Sequence, residues 1–125
     1  MKNTLKILLA VVALSALAAV RPPKPNDKDF IALNWDYTQG TTAAEKFRVY
    51  HGRTPGTWDG FVDTAGLEQK ADIEVTSPGD WYFTATALSA DGLESLPSNT
   101  LRVVIAERPQ SPGNLTGRRI TVFVD

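Results

Sequence analysis

The sequence predicts an all-β fold, a sandwich or barrel of short strands. Apolar and polar residues alternate with a period of two in several short stretches, as expected of strands that bury one face. Clusters of Gly, Pro and Asp separate these stretches, and no helical period is sustained after residue 20. The hydrophobic content of 42% is enough to expect a packed core.

An apolar stretch at the start of the chain has the features of an export signal. A short basic region, Lys2 and Lys6, is followed by the apolar residues 7–17, and Ala16-Leu17-Ala18 fits a cleavage motif of small residues. We therefore expect residues 1–18 to be a signal peptide. The alternative is an apolar N-terminal helix that is retained as an anchor or as an assembly contact.

The Pro-rich residues 19–29 are expected to form an extended linker, and six strands are expected after it. The strands are expected at residues 30–37, 47–51, 58–64, 70–76, 81–87 and 99–105. The third is expected to be a short edge strand, because Gly60 interrupts it. Asp91-Gly92 predicts a tight turn of a hairpin, since these residues accept positive φ. The predicted core consists of Trp35, Phe47, Val49, Ile73, Val75, Trp81 and Phe83.

These segments resemble a fibronectin type III domain in their order and spacing. The segments that carry the resemblance are Leu33-x-Trp35, Phe47-Arg48-Val49-Tyr50-x-Gly52, Ser77-Pro78-Gly79, Trp81-x-Phe83-x-Ala85-x-Ala87 and Asp91-Gly92-x-Glu94-Ser95-x-Pro97-Ser98-Asn99. The resemblance implies an immunoglobulin-like β-sandwich at residues 30–106, in which the six strands are B, C, C′, E, F and G.

Two departures from that family affect the expected structure. Its strand F usually carries Tyr where this chain has Trp81, so the indole N–H needs a different acceptor. Its Pro-led strand A is missing before residue 30. A segment of that type occurs instead in the extension 107–125, where Ile120, Val122 and Val124 alternate with other residues.

Three arrangements of this extension fit the sequence. It completes the vacant edge of its own domain as a permuted strand A, or it adds to the sheet of a neighbouring copy or partner. In the third arrangement it is a loosely packed extension. An unpaired apolar strand favours aggregation, which argues against the third arrangement.

Composition and spacing give little sign of catalytic chemistry. The net charge of −1 offers no basic face to nucleic acid, and the absence of cysteine excludes disulfides and thiolate ligands. His51 is the single histidine, and the carboxylate pairs Asp27/Asp29 and Asp59/Asp63 lack the dense oxygen spacing of a calcium site. We expect no enzyme activity, no cofactor and no bound metal.

Exposed aromatic and apolar side chains remain as candidates for recognition. The candidate interaction surface consists of Tyr50, Trp58, Phe61, Tyr82, Ile120, Val122 and Val124. Tyr37 is also expected to lie outward or near an edge. The alternative for Trp58 and Phe61 is that they cover the edge of the sandwich.

Domains of the fibronectin type III family act as adhesive modules, spacers and components of bacteriophage virions. The resemblance therefore implies a non-enzymatic binding or structural module, secreted, periplasmic or part of a virion. Its partner is expected to be a protein or a second copy, with carbohydrate as another ligand class. No contact with nucleic acid is expected, and none with membrane after signal removal. A small secreted enzyme inhibitor or accessory domain is the alternative.

Overall fold

The computed structural model of the chain describes residues 4–14 and 20–124. All regular structure in these residues is β-strand, and they contain no helix, so the all-β class is confirmed. The seven strands are β1 (Thr4–Leu14), β2 (Asp29–Thr38), β3 (Ala44–Gly52), β4 (Gly60–Asp63), β5 (Lys70–Val75), β6 (Gly79–Ser89) and β7 (Leu101–Ile105).

The strands form two antiparallel sheets that pack face to face. One sheet has the order β1-β2-β5 and the other has the order β4-β3-β6-β7. Side chains of both sheets form one buried cluster, in which Trp35 of β2 meets Phe47 of β3 edge-on, with 5.5 Å between the ring centroids. This two-layer arrangement is consistent with a β-sandwich.

The side chains predicted to point inward lie in this core. Relative exposure is 9% or less for Trp35, Phe47, Val49, Ile73, Val75, Trp81 and Phe83. The strand bounds differ from the predicted ones by a few residues. The clearest case is β3, which begins at Ala44 because its ladder with β6 extends to the pair Ala44 and Ser89.

The prediction of an apolar N-terminal helix is wrong for Thr4–Leu14, which form β1. This strand pairs antiparallel with β2 from Thr4 to Leu14, with a register shift between Ile7 and Leu9. Ile7 is 3% exposed within the core, and its amide donates a 3.0 Å hydrogen bond to the Asn99 side chain. The edge of β2 offers backbone hydrogen bonds and an apolar face, and such tertiary contacts override the helical preference of Leu and Ala.

Part of the predicted export signal lies outside the described residues. Lys2 and the cleavage motif Ala16-Leu17-Ala18 belong to that part. The signal peptide and its cleavage therefore stay predictions. If they are correct, the residues removed would include β1.

Residues 106–124 follow β7 without forming a strand, and we call them the tail. All are exposed, and the exposure reaches 72% for Ile120, 76% for Val122 and 90% for Val124. The structure differs here from the arrangement in which the extension completes its own domain, because β1 already lies along β2. Pairing of the tail with a neighbouring copy stays a prediction.

The outer face of β6 is covered, although its polar residues predict exposure. Thr84 and Thr86 are each 3% exposed. The cause is the segment of residues 93–99, which lies along β6 before β7 begins. The Ser98 amide, for example, donates to the Ala85 carbonyl oxygen at 2.8 Å. The alternating pattern of β6 does not show that residues 93–99 cover its outer face.

Trp81 finds the acceptor that its position requires. Its indole Nε1–H donates to the carbonyl oxygen of Ser77 at 2.9 Å, in the turn before β6. The Arg53 guanidinium lies over the indole at 4.6 Å and donates to the carbonyl oxygens of Pro78 and Asp80 at 2.5 Å and 2.7 Å. Together these contacts hold the β5–β6 corner.

Candidate functional site

The outer face of the four-stranded sheet brings part of the candidate interaction surface together. β3 and β4 pair so that Tyr50 lies opposite Phe61 and Arg48 opposite Asp63. Directly opposed residues of antiparallel strands place their side chains on one face of the sheet. Val49, which alternates with these residues on β3, is fully buried in the core, so the four side chains face away from it.

Three aromatic rings cluster on this outer face. The Tyr50 ring contacts both Trp58 and Phe61, with centroid distances of 6.3 Å and 6.0 Å and interplanar angles of 49° and 58°. Phe61 is 52% exposed, whereas Tyr50 and Trp58 are half-buried. The Arg48 guanidinium carbon lies 4.0 Å from the centroid of the Phe61 ring, a cation–π geometry. We call these four residues the aromatic face.

Asp63 fixes the position of Arg48. Its carboxylate accepts two hydrogen bonds from the guanidinium, at 2.7 Å and 3.1 Å, and one from the Lys46 ammonium at 3.0 Å. Hydrogen bonding from Arg48, and then from Lys46, lowers the pKa of Asp63 to about 2. The same contact raises the pKa of Arg48. The bidentate pair holds Arg48 in the orientation that places it over Phe61.

Glu94 fixes the position of Tyr50. The Tyr50 hydroxyl donates to this carboxylate at 2.5 Å, and the Thr86 hydroxyl donates to the same oxygen at 2.7 Å. The hydrogen bond to Glu94 raises the pKa of Tyr50, and the bonds from Tyr50 and Thr86 lower the pKa of Glu94. The hydrogen bond to Glu94 therefore fixes the Tyr50 hydroxyl and holds its ring across the sheet.

The remaining predicted residues lie outside this aromatic cluster. Tyr82 is on the same sheet face, further along β6, with Gly52 and Arg102 as its register partners. The tail, with Ile120, Val122 and Val124, lies outside both sheets. The expectation for Tyr37 is wrong: its ring packs on Phe47 with 5.0 Å between centroids.

The carboxylate pairs singled out in the sequence do not form joint sites. Each carboxylate binds a different guanidinium or amide, as found for Asp27, Asp29, Asp59 and Asp63. His51 is half-buried at the end of β3, opposite Gly60. Among the residues that the structure describes, no three His, Cys, Asp or Glu side chains are grouped to hold a metal ion.

Arg48, Asp63 and Glu94 belong to this surface but were not predicted from the sequence. The alternation on β3 contains a usable signal for Arg48, since it places Arg48 on the same side as Tyr50. Asp63 and Glu94 reach the surface only through the register of β4 with β3 and the path of residues 93–99 over β6.

Comparison with protein-family models and with curated proteins finds no match for this chain. Over residues 4–14 and 20–124, no helix has the length and apolar character needed to span a membrane.

Proposed function

We propose that this chain is a non-enzymatic binding module that contacts a protein partner through the aromatic face. The observation that carries the proposal is the cluster of Tyr50, Trp58 and Phe61 with Arg48 across Phe61. Tyr, Trp and Arg are the residues most enriched among those that dominate binding energy at protein interfaces.

The fixed geometry of the surface supports this use. Arg48 is held by Asp63 and Tyr50 by Glu94, so a partner would meet side chains that are already ordered. Pre-organised side chains lose less conformational entropy on binding than free ones. Lys46 beside Asp63 adds charge at the margin, where polar side chains usually surround an interface.

The ring orientations favour a protein over a carbohydrate partner. Stacking on a sugar uses an open and nearly flat aromatic face, whereas the planes here are inclined by 49° and 58° to Tyr50. Trp58 is also half-buried. A tilted cluster suits the insertion of an apolar side chain between the rings, as in protein interfaces.

The strand order supports the resemblance to fibronectin type III domains, which we include in the proposal. In an immunoglobulin-like sandwich, the order β1-β2-β5 corresponds to strands A, B and E, and β4-β3-β6-β7 corresponds to C′, C, F and G. In this correspondence β1 is strand A, which the sequence pattern did not reveal before residue 30.

A photo-crosslinking amino acid in place of Phe61 tests the proposed contact. The variant is made in the native host cells, and its adducts are identified by mass spectrometry. We expect one discrete protein adduct, lost when Arg48→Ala or Trp58→Ala is added, because these changes remove the surface around the probe. Circular dichroism confirms that each variant is folded.

The matched control places the same probe at Leu67, a 50% exposed side chain in the loop between β4 and β5. This position should give no such adduct. The same adducts at both positions, or none at Phe61, would contradict a protein-binding role of the aromatic face. Co-sedimentation with insoluble polysaccharides that depends on Trp58 would favour a carbohydrate ligand instead.

We further propose that the protein is exported. The apolar residues 7–17, the preceding lysines and the small residues of Ala16-Leu17-Ala18 support a cleaved leader. N-terminal sequencing of protein purified from its native source is expected to begin at Ala19. A chain that still begins with Met1 would contradict export with cleavage and would support assembly of the intact chain, as in a virion.

A further inference from the structure

The segment that covers the edge of β2 has two incompatible roles. It is a strand of the folded sheet and also part of the leader that is proposed to be cleaved. β1 supplies the backbone partners of β2 on this side, from Thr4 opposite Thr38 to Leu14 opposite Asp29. It also places Ile7 in the core at 3% exposure. The same residues carry the leader pattern, and a chain that begins at Ala19 lacks them. Removal of the leader would leave unpaired backbone groups and an open core at this edge.

The tail contains a segment suited to the same edge. Residues 120–124 alternate as Ile-Thr-Val-Phe-Val, so three apolar side chains point to one side of an extended chain. These five residues match in length the stretch 31–35 of β2, whose Ile31, Leu33 and Trp35 face the core. Ile120 and Val122 are 72% and 76% exposed, so they would gain burial by docking.

The path of the tail brings this segment within reach of the edge. Arg108 forms a 3.4 Å ion pair with Asp29, the first residue of β2. An antiparallel strand with Ile120 opposite Trp35 requires the chain to advance about 20 Å along β2 and then reverse. Residues 109–119 extend to about 36 Å and include Gly113 and Gly117, so the length allows for the turn.

We propose that residues 120–124 replace β1 on the edge of β2 of the same chain when β1 leaves. The tail is then a reserve strand, which completes the three-stranded sheet in the processed protein. A short connection favours docking within the chain over docking between copies, because it sets a high effective concentration. The inference rests on the proposed export in one respect only, because cleavage of the leader is the event that removes β1 in cells.

A cross-link within the full-length chain tests the exchange without requiring cleavage. Ile7→Asp places a carboxylate at the buried β1 position and releases that strand. The proposed register puts Thr121 opposite Asn34, which is exposed on the outer face of β2. Because the chain has no cysteine, Asn34→Cys and Thr121→Cys provide the only two thiols. Oxidation is expected to give an intramolecular disulfide in the Ile7→Asp background and little in the Ile7 background.

A stability comparison provides the second measurement. Val122→Asp should leave the melting temperature of the otherwise unchanged chain as it is, and should lower it by several degrees in the Ile7→Asp background. Leu115→Asp is the matched control, since this tail residue is 99% exposed and lies outside residues 120–124. It should have no effect in either background.

Each other outcome overturns the proposal. An Ile7→Asp protein that is unfolded shows that the tail cannot complete the sheet, and equal effects of Val122→Asp in both backgrounds show that β1 and the tail do not exchange. An intermolecular disulfide with doubled native mass assigns the edge to a second copy instead. None of these results depends on the cross-link at Phe61, so failure of the exchange is distinguishable from failure of the binding proposal.

Discussion

At the scale of single residues, the Asp63 carboxylate both neutralises two cations on the sheet face and fixes the position of one of them over an aromatic ring. Its carboxylate binds both Arg48 and Lys46, and Arg48 in turn covers the ring of Phe61. Loss of one charge therefore has two consequences: it weakens the pairing of β3 with β4 and it frees the guanidinium from the aromatic face.

Asp63 should make stability depend on pH in the acid range. Its pKa is lowered from 3.8 to about 2, so its stabilising effect is complete above about pH 4 and is lost as pH falls through 2. Asp63→Asn is expected to lower the free energy of unfolding at pH 7 by about 1 kcal/mol. The difference from the unchanged protein should narrow toward pH 2 in urea titrations.

Asp72→Asn is the control for this titration, because Asp72 is an exposed carboxylate on β5 of the other sheet. It should change stability by less than about 0.5 kcal/mol at every pH. Parallel curves for Asp63→Asn and the unchanged protein from pH 7 to pH 2 would contradict the assigned role of Asp63.

Trp81 should be more sensitive to substitution than its neighbour Tyr82. Trp81→Phe removes the donor to the Ser77 carbonyl oxygen and part of the surface under Arg53, which should cost about 1–2 kcal/mol in chemical denaturation. Tyr82→Phe, on the half-buried outer face, should cost less than about 0.5 kcal/mol. Equal losses would mean that the corner does not depend on the indole.

At the scale of elements, the turn after β6 determines where the chain reverses. Gly92 has φ +82°, and its amide donates to the Ser89 carbonyl oxygen at 3.0 Å. The sequence prediction of positive φ is confirmed for Gly92 only, since Asp91 is not among the residues with positive φ. This turn sends residues 93–99 back along β6.

Gly92→Ala is expected to destabilise this turn by about 1 kcal/mol, because a β-carbon disfavours the left-handed backbone region. Gly66→Ala is a matched control in open space without positive φ, and should change stability by less than about 0.5 kcal/mol. Thermal melting of both variants measures the difference. A Gly92→Ala protein as stable as Gly66→Ala would show that the turn relaxes without strain.

The elements that alternate most regularly were the easiest to predict. β2, β5 and β6 lie close to their predicted positions, because alternation reports directly which side chains are buried. β1 could not be recognised this way. A continuous run of Leu, Val and Ala fits a leader, a helix or a strand, and the open edge of β2 decides among these in the folded chain.

At the scale of the whole molecule, the two ends of the chain contribute unequally to the two-layer core. Ile7 of β1 lies inside it, whereas the tail makes no strand in the described residues and is exposed. The stabilisation of a fold is roughly proportional to the apolar area that is removed from water. In the intact chain, β1 should therefore contribute far more than the tail to the free energy of unfolding.

Removal of residues 109–125 from the otherwise intact chain is thus expected to shift the melting temperature by less than about 2 °C. The Arg108–Asp29 ion pair remains in this truncated protein. Removal of residues 1–14 is the comparison. The protein that lacks both residues 1–14 and residues 109–125 should have a lower melting temperature than the protein that lacks residues 1–14 alone. A large loss from the tail truncation alone would show that the tail already packs in the intact chain.

The sequence by itself determined the all-β class, most strand positions and the core side chains of β2, β3, β5 and β6, because the local alternation of apolar and polar residues shows which face of a strand is buried. It also indicated that Tyr50, Trp58 and Phe61 are available for recognition. The tertiary structure alone decided that these three rings meet and that Thr4–Leu14 complete the first sheet. It also decided that Asp63 binds Arg48 and that Glu94 binds Tyr50. Strand register and edge occupancy depend on contacts between distant segments, and no local pattern specifies them.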